Sequence, residues 1–168
     1  MQPNLKVLLE RLLTYDVDFV LIGGFAAAVH GSTLVTQDLD ICAAITDDQI
    51  AKLRNALKDL HPLHRMNPNA RHSFLEYPSD LRGFNNIYLS TDLGVLDILS
   101  QAQPAGNFDE IKSRSVEISL YGRKCRVISV DDLIKIKASM NRPKDKQTVL
   151  ELQLIRQNSN RMPSTSED

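Results

Sequence analysis

The sequence predicts an α/β (α+β) protein in which a mixed β-sheet is flanked by helices. Two observations lead to this class. In the first half of the chain, short apolar runs alternate with segments of helical periodicity, whereas later apolar runs follow one another closely, as antiparallel strands do. The length of 168 residues suits one domain with its own core.

The first half contains three predicted helices and two predicted strands. Asn4 suits an N-cap, and leucines follow it at helical spacing. A strand rich in β-branched residues (VDFVLI) ends at a Gly-Gly pair, after which an Ala-rich helix ends near Gly31. The predicted elements are a helix at 4–15, a strand at 17–22, a helix at 25–30, a strand at 38–45 and a helix at 48–60.

The second half contains shorter elements and a C-terminal pair of helices. Residues rich in Pro, Asn and His predict a loop, and Tyr121-Gly122-Arg123 predicts the turn of a hairpin. The predicted elements are loops at 61–72 and 101–110, strands near 73–77, 85–90, 94–99, 116–120 and 124–128, and helices at 131–140 and 144–157. We accordingly divide the chain into a core at 1–130, a helical pair at 131–157 packed on the core and a disordered tail at 158–168. The residues expected to provide the apolar surface of the helical pair are Leu133, Ile134 and Ile136 on the first helix and Val149, Leu150, Leu152 and Leu154 on the second.

Composition excludes several classes of protein. The net charge of −1 argues against binding along nucleic acid by charge alone. Cys42 and Cys125 lie in separate apolar runs, which indicates free core thiols rather than a zinc site or a disulfide framework. Because the chain has no apolar signal segment and no run of about 18 apolar residues, we expect a cytoplasmic protein without a membrane partner.

Two carboxylates stand two residues apart in the predicted strand at 38–45. Asp38 and Asp40 should project from the same face, while Leu39 faces the core. Adjacent carboxylates repel, and a divalent cation such as Mg²⁺ relieves that repulsion. The alternative is a solvated strand end that carries two exposed acids.

Two further features support a cation and phosphate site. The Gly23-Gly24 pair joins a strand to a helix, where glycine lets the backbone approach a phosphate and the helix N-terminus offers amide donors, although most such pairs are only turns. Asp97 lies among apolar strand residues, and a buried Asp requires a partner or a metal. The alternative is that Asp97 faces solvent.

Together these segments resemble the DNA polymerase β-like nucleotidyltransferase superfamily. The segment LIGGFAAAVHGSTLVTQDLDI is similar to its small bacterial members, which are related to the abortive-infection (type IV toxin-antitoxin) nucleotidyltransferase toxins. In the C-terminal segment, the positions of the family's "K…R-x-K-D" pattern are occupied by Lys137, Arg142, Lys144 and Asp145. The residues that match the N-terminal signature are Gly23, Gly24, His30, Gly31, Thr36, Asp38 and Asp40, and Asp97 matches the third carboxylate.

The resemblance implies a minimal nucleotidyltransferase fold and a metal-dependent transfer of NMP from an NTP to an acceptor hydroxyl. Asp38, Asp40 and Asp97 would be the catalytic residues and would bind Mg²⁺ or Mn²⁺. The acceptor would be a tRNA end, a protein side chain or a small molecule such as an aminoglycoside, and an antitoxin would be a further partner. The residues implied in nucleotide binding are Gly23, Gly24, Thr36, Lys137 and Arg142.

Two positions differ from the family pattern. Leu34 stands where related sequences often have Arg, and Thr148 stands where they often have a second acid. Two other functions therefore stay open: a catalytically inactive nucleotide-binding or regulatory relative, and an unrelated α/β interaction domain.

The histidines favour structural roles. His61 and His64, with His72 nearby, have neither a cysteine nor an obvious fourth ligand for zinc, and Pro62 interrupts the local geometry. The alternative for this His- and Arg-rich loop is contact with an acceptor such as RNA. We expect His30 to pack or form a hydrogen bond behind the glycine turn.

Overall fold

The protein is a mixed seven-stranded sheet with six helices and a small two-stranded sheet, in a computed structural model that describes residues 3–161. The strands are β1 (Val20–Ile22), β2 (Asp38–Cys42), β3 (Leu63–His64), β4 (Asn86–Thr91), β5 (Gly94–Leu99), β6 (Gln101–Ala102), β7 (Gly106–Asn107), β8 (Val116–Leu120) and β9 (Arg123–Val127). The helices are α1 (Leu5–Thr14), α2 (Gly23–His30), α3 (Asp47–Leu57), α4 (Phe108–Arg114), α5 (Val130–Met140) and α6 (Pro143–Arg161).

The strand order is β3-β4-β5-β2-β1-β9-β8, which confirms the predicted mixed sheet. β2 lies at the centre and pairs parallel with β5 and antiparallel with β1. The remaining pairs of the large sheet are antiparallel except for β1 with β9. β1 is apolar and buried along its whole length. In β2, Asp38 and Asp40 are half-buried, whereas Leu39, Ile41 and Cys42 are buried.

The core forms as the apolar periodicity predicts. The buried face of α1 consists of leucines at helical spacing, and the side chain of Asn4 caps this helix by accepting from the Val7 amide at 3.3 Å. Cys42 and Cys125 are free, buried thiols, and burial raises their pKa to about 12 and about 11. In the part of the chain that the structure describes, no helix combines the length and apolar character needed to cross a membrane.

The strand predicted near 73–77 does not form. Ser73 makes only an isolated bridge to Leu63, and the following residues turn. Two carbonyl groups of this segment accept from the Arg54 side chain instead of from a neighbouring strand: the Phe74 oxygen at 2.8 Å and the Pro78 oxygen at 2.7 Å.

Two predicted loops contain regular structure. The loop at 61–72 includes the edge strand β3, and the loop at 101–110 includes β6, β7 and the start of α4. A reciprocal capping box begins α4, because the Asn107 side chain accepts from the Glu110 amide while the Glu110 carboxylate accepts from the Asn107 amide. The N-x-x-E spacing was the sequence signal for this helix.

The C-terminal helices form as predicted, but their buried surface differs from the expected one. Leu133 and Ile136 of α5 are buried, whereas Leu150 and Leu154, expected as apolar contacts of α6, are 62% and 60% exposed. The buried face of α6 carries Asp145, Thr148 and Leu152, with Ile155 packed against the core. This spacing follows one helical stripe.

The last helix continues to Arg161, beyond the predicted end near Gln157. The expectation of disorder is therefore wrong for residues 158–161, and residues 162–168 lie outside the described residues. The division of the chain at residue 130 stays a prediction.

Candidate active site

The three predicted carboxylates share one face of the sheet. In the parallel pair of β2 and β5, Asp40 is the register partner of Asp97, and Asp38 is the register partner of Val95. Side chains two residues apart on a strand point the same way, so Asp38 lies on the face that Asp40 and Asp97 share. The three carboxylates therefore project to the same side of the sheet.

The start of α2 lies directly against Asp40. Gly23 begins the helix with φ +70°, and a Cβ atom at this position would lie 2.2 Å from Asp40 Oδ2. Only glycine fits such a left-handed position in contact with a carboxylate. Within residues 3–161, no side chain caps this helix, so its first amides are available to an anion.

Thr36 and Gly24 pack against each other beside the carboxylates. A Cβ atom on Gly24 would lie 2.9 Å from Thr36 Oγ1. The Thr36 hydroxyl donates to the Asp38 carbonyl at 3.0 Å. Thr36, predicted to bind nucleotide, therefore also fixes the backbone that carries the first carboxylate.

A cavity of about 580 Å³ lies over this face, and residues from both the N-terminal and the C-terminal parts of the chain line it. Its volume lies in the range of small-molecule sites. All eight predicted site residues line it: Gly23, Gly24, Thr36, Asp38, Asp40, Asp97, Lys137 and Arg142.

Burial and repulsion between neighbouring carboxylates disfavour the charged forms of Asp40 and Asp97. Burial, reinforced by the negative charges of Asp97 and Asp38, raises the pKa of Asp40 to about 6 from its usual 3.8. Burial also raises the pKa of Asp97, although Arg65 acts in the opposite direction. Bound positive charge would relieve this repulsion.

Arg65 is a site residue that the sequence did not reveal. Its Nη2 donates to both carboxylate oxygens of Asp97, each at 2.7 Å, and its guanidinium lies 5.5 Å from the centre of the Tyr88 ring. Among the residues that the structure describes, the buried Arg65 Nε atom has no hydrogen-bond partner. Arg65 follows β3 in a segment predicted to be a loop, where no periodicity indicates the direction of a side chain.

Lys137 and Arg142 converge on Asp145, a carboxylate that is 1% exposed. The Lys137 Nζ atom lies 3.6 Å from Asp145 Oδ1, and Arg142 Nε donates to Asp145 Oδ2 at 2.5 Å. Burial by itself would raise the pKa of Asp145, but the two cations outweigh it and hold the pKa below 3.8. The resemblance assigns no role to Asp145, whereas in the structure this carboxylate forms ion pairs with both Lys137 and Arg142.

The two positions that differ from the family pattern both line the cavity. Leu34 adds an apolar side chain to its wall. Thr148 is buried, and its hydroxyl donates to the Lys144 carbonyl at 2.9 Å. Lys144 also lines the cavity.

Three of the histidines considered in the sequence analysis make structural hydrogen bonds. The ring of His30 is hydrogen-bonded through Nε2 to the Ile128 carbonyl at 2.7 Å, so it joins α2 to the end of β9, as expected for a structural role. His61 contacts Asp92, and His64 contacts the Tyr77 carbonyl.

Within residues 3–161, no three His, Cys, Asp or Glu side chains are already gathered around one point as a closed metal cage. At the candidate site, Asp97 contacts Arg65 instead. Asp38, Asp40 and Asp97 nevertheless offer the hard oxygen donors that Mg²⁺ prefers. An open site of this kind suits an ion that also binds substrate phosphates.

Comparisons with known proteins place this arrangement in a known fold. The antibiotic-resistance factor ANT(2'')-Ia matches in its solution structure with a TM-score of 0.59 and 15% identity, over 95% of this chain and 86% of that one. Its crystal structure in complex with adenylyl-2''-tobramycin matches with a TM-score of 0.55 and 13% identity, over 93% and 97%. No protein-family model and no curated protein sequence matches the chain. The chain therefore has the nucleotidyltransferase fold.

Proposed function

We propose that this chain is a metal-dependent nucleotidyltransferase that moves an NMP from an NTP to an acceptor hydroxyl. The observation that carries the proposal is the row of Asp38, Asp40 and Asp97 beside the uncapped N-terminus of α2, in one cavity of about 580 Å³. Carboxylates for cations and free amides for phosphates are the two requirements of a bound metal–triphosphate.

Asp38 and Asp40 would hold the cation, with Asp97 as the third ligand. The raised pKa of Asp40 supports this assignment. Burial and repulsion destabilise its charged form, and a bound cation would stabilise that form. When bound, Mg²⁺ or Mn²⁺ supplies charge stabilisation at the attacking and leaving oxygens.

Other groups that line the cavity would bind the triphosphate and accept the proton of the acceptor. The first amides of α2 would bind the β- and γ-phosphates, and Lys137 and Arg142, which line the same cavity, would neutralise phosphate charge. Asp97 accepts the proton of the acceptor hydroxyl. The acceptor oxygen then forms a bond to the α-phosphorus, the bond from this phosphorus to the β-phosphate bridge breaks, and pyrophosphate leaves.

The comparison with ANT(2'')-Ia supports nucleotidyl transfer, because adenylyl-2''-tobramycin in that complex contains an adenylyl unit joined to an acceptor. At 13–15% identity the likeness concerns the fold, so the acceptor of this chain is a separate question. RNA, a protein side chain and a small molecule are the three acceptor classes to compare.

A second function, nucleotide binding without transfer, is favoured by one contact. Arg65 holds both oxygens of Asp97, the group that would accept the proton. If Arg65 stays in place when nucleotide binds, the chain binds NTP and metal but does not turn over. Binding and turnover must therefore be measured separately.

The resemblance to toxin-like members extends the proposal to a cytoplasmic toxin with an antitoxin partner. Induced expression of the wild-type chain should then arrest bacterial growth, whereas Asp40→Asn at equal abundance should not. Equal growth of both strains would remove the toxin role and leave the transferase activity to be judged on its own.

The transferase is tested with purified protein, Mg²⁺ and each α-labelled NTP in the presence of total RNA, total protein or an aminoglycoside. Label should enter one acceptor class with wild-type protein and not with Asp40→Asn. Magnesium-dependent NTP binding without label transfer would establish the non-catalytic relative. Absence of magnesium-dependent NTP binding would contradict both functions.

A further inference from the structure

A second cavity, of about 260 Å³, adjoins the candidate active site. Tyr88 lines both cavities, and in the antiparallel pair of β4 and β5 it is the register partner of Asp97. Arg65 bridges the same boundary, since it contacts Asp97 and lies over the Tyr88 ring. A ligand in the second cavity would therefore lie next to the carboxylate to which we assign the acceptor proton.

Aromatic and imidazole rings form the wall of the second cavity. The Tyr77 ring lies 4.8 Å from the His72 ring, 5.3 Å from the His64 ring and 5.9 Å from the Phe84 ring, measured between centroids. Tyr77 is 43% exposed, so this cluster is accessible. Exposed rings of this kind stack on the flat face of a nucleobase.

The charge of the second cavity favours an anionic ligand over a polycationic one. None of its nine lining residues is Asp or Glu. Arg65 lines neither cavity, but its guanidinium lies over the ring of Tyr88, which lines both. Arg71 is an exposed residue between Ala70 and His72, both of which line the second cavity. An aminoglycoside would find no carboxylate here for its ammonium groups, whereas a phosphate would find arginine nearby.

The size of the cavity indicates a small occupant. At about 260 Å³ it lies below the range of roughly 300–1,000 Å³ that is typical of sites for drug-sized ligands. One nucleoside is closer to this volume than an antibiotic of several rings.

We propose that this second cavity is the acceptor subsite and that it binds a nucleotide unit, with the base stacked among His72, Tyr77 and Phe84. This assignment rests on the proposed transferase function. The acceptor hydroxyl would then reach Asp97 across Tyr88, and Arg65 would move from Asp97 to the acceptor phosphate. In this reaction the acceptor hydroxyl loses its proton to Asp97, its oxygen forms a bond to the α-phosphorus of the NTP, and pyrophosphate leaves.

The test measures binding to the second cavity while the first is filled. The four α,β-methylene NTPs and Mg²⁺ are added to fill the first cavity without transfer. The affinity for a fluorescein-labelled, single-stranded oligoribonucleotide is then measured by anisotropy. His72→Ala should weaken binding on the order of tenfold, because one stacking side chain contributes about that much. Within residues 3–161 the His72 side chain makes no hydrogen bond, so the change should preserve the fold.

The matched control is His61→Ala. His61 belongs to the same segment but lines neither cavity, and its ring contacts Asp92 on the surface. This variant should bind the oligoribonucleotide as the wild type does. A second variant, Asn86→Asp, adds a carboxylate of nearly equal size to the cavity wall and should also weaken binding. Equal affinities for wild type, His72→Ala and Asn86→Asp would overturn the proposal.

Two further ligands identify the source of the nucleotide. If adenosine monophosphate displaces the labelled oligoribonucleotide as strongly as unlabelled oligoribonucleotide does, the subsite binds free nucleotides. If it displaces the label more weakly, the subsite binds an RNA end. The assignment of the second cavity to an anionic ligand would be overturned if tobramycin bound more tightly than both adenosine monophosphate and the oligoribonucleotide, and bound Asn86→Asp more tightly than the wild type. The affinity for NTP, measured without oligoribonucleotide, distinguishes failure of the subsite proposal from failure of the transferase proposal. If the protein does not bind NTP at all, the transferase function itself is contradicted.

Discussion

The Nη2 atom of Arg65 lies 2.7 Å from each carboxylate oxygen of Asp97. Arg65 is thus the counter-ion of the residue to which we assign the acceptor proton. An arginine in this position competes with a cation for the same oxygens, and it also stabilises a carboxylate that is only 13% exposed. These two effects lead to opposite consequences when Arg65 is removed.

Arg65→Gln should destabilise the metal-free protein by about 1–3 kcal/mol, because the Asp97 carboxylate loses its charged donor. The same variant should bind Mn²⁺ more tightly in the absence of NTP, since the competing cation is gone. Chemical unfolding and electron paramagnetic resonance titration measure the two effects. Arg82→Gln, which removes an exposed arginine paired with Asp80, is the control. If metal affinity is unchanged in Arg65→Gln, Arg65 does not compete for the site.

Asp40→Asn should stabilise the metal-free protein at pH 8. The pKa of Asp40 is about 6 in the folded chain against 3.8 as its usual value, so the folded state holds the proton more tightly than the unfolded state. Its contribution to stability is therefore most favourable below pH 4 and is lost as pH rises through about 6, a difference of roughly 2–3 kcal/mol.

Urea unfolding at pH 5 and pH 8 in a chelator measures this effect by circular dichroism. The wild type should lose more stability between these pH values than Asp40→Asn, and Glu117→Gln, at an exposed strand position, should behave as the wild type does. Asp40→Asn should also abolish magnesium-dependent NTP binding. A large loss of stability in metal-free Asp40→Asn would make the residue structural.

Gly23→Ala should impair both the fold and the site, because its Cβ would lie 2.2 Å from Asp40 Oδ2. Gly122 is a matched control: its φ of +77° is similar to the +70° of Gly23, but nothing lies within 4 Å of a Cβ there. Gly122→Ala should cost about 1–2 kcal/mol from the left-handed backbone alone.

Gly23→Ala should cost about 1–3 kcal/mol more than Gly122→Ala, because the added methyl group displaces a carboxylate. Thermal unfolding compares the two variants, and magnesium-dependent NTP binding should be lost only in Gly23→Ala. Equal effects of the two substitutions would show that Gly23 is needed for backbone conformation alone and not for contact with Asp40.

Lys137→Ala should weaken NTP binding on the order of tenfold through loss of one charge opposite the carboxylates. Asp145 retains Arg142, so the helix pair should stay folded at a cost of about 1–3 kcal/mol. Lys135→Ala, on the exposed side of the same helix, is the control. Isothermal titration gives NTP affinity, and circular dichroism checks the fold. An unchanged affinity would remove Lys137 from the site.

The sequence by itself determined the local elements and the residues with unusual chemistry. Periodicity and capping are local properties, so α1, β2, β5 and the hairpin of β8 and β9 lie close to their predicted bounds. The DLD spacing by itself requires Asp38 and Asp40 to share a face in any strand. Burying an aspartate among apolar strand residues is costly unless its charge is paired, and this cost identified Asp97 from the sequence alone, without knowledge of Arg65.

Only the tertiary structure decided which distant residues meet. Pairing of β2 with β5 sets Asp40 beside Asp97, and this register depends on the whole sheet. Arg65 approaches Asp97 from a segment without periodicity, and Asp145 is buried because α6 packs with Thr148 and Leu152 inward rather than with Leu150. Such contacts depend on packing between elements far apart in the chain, which local propensity does not encode.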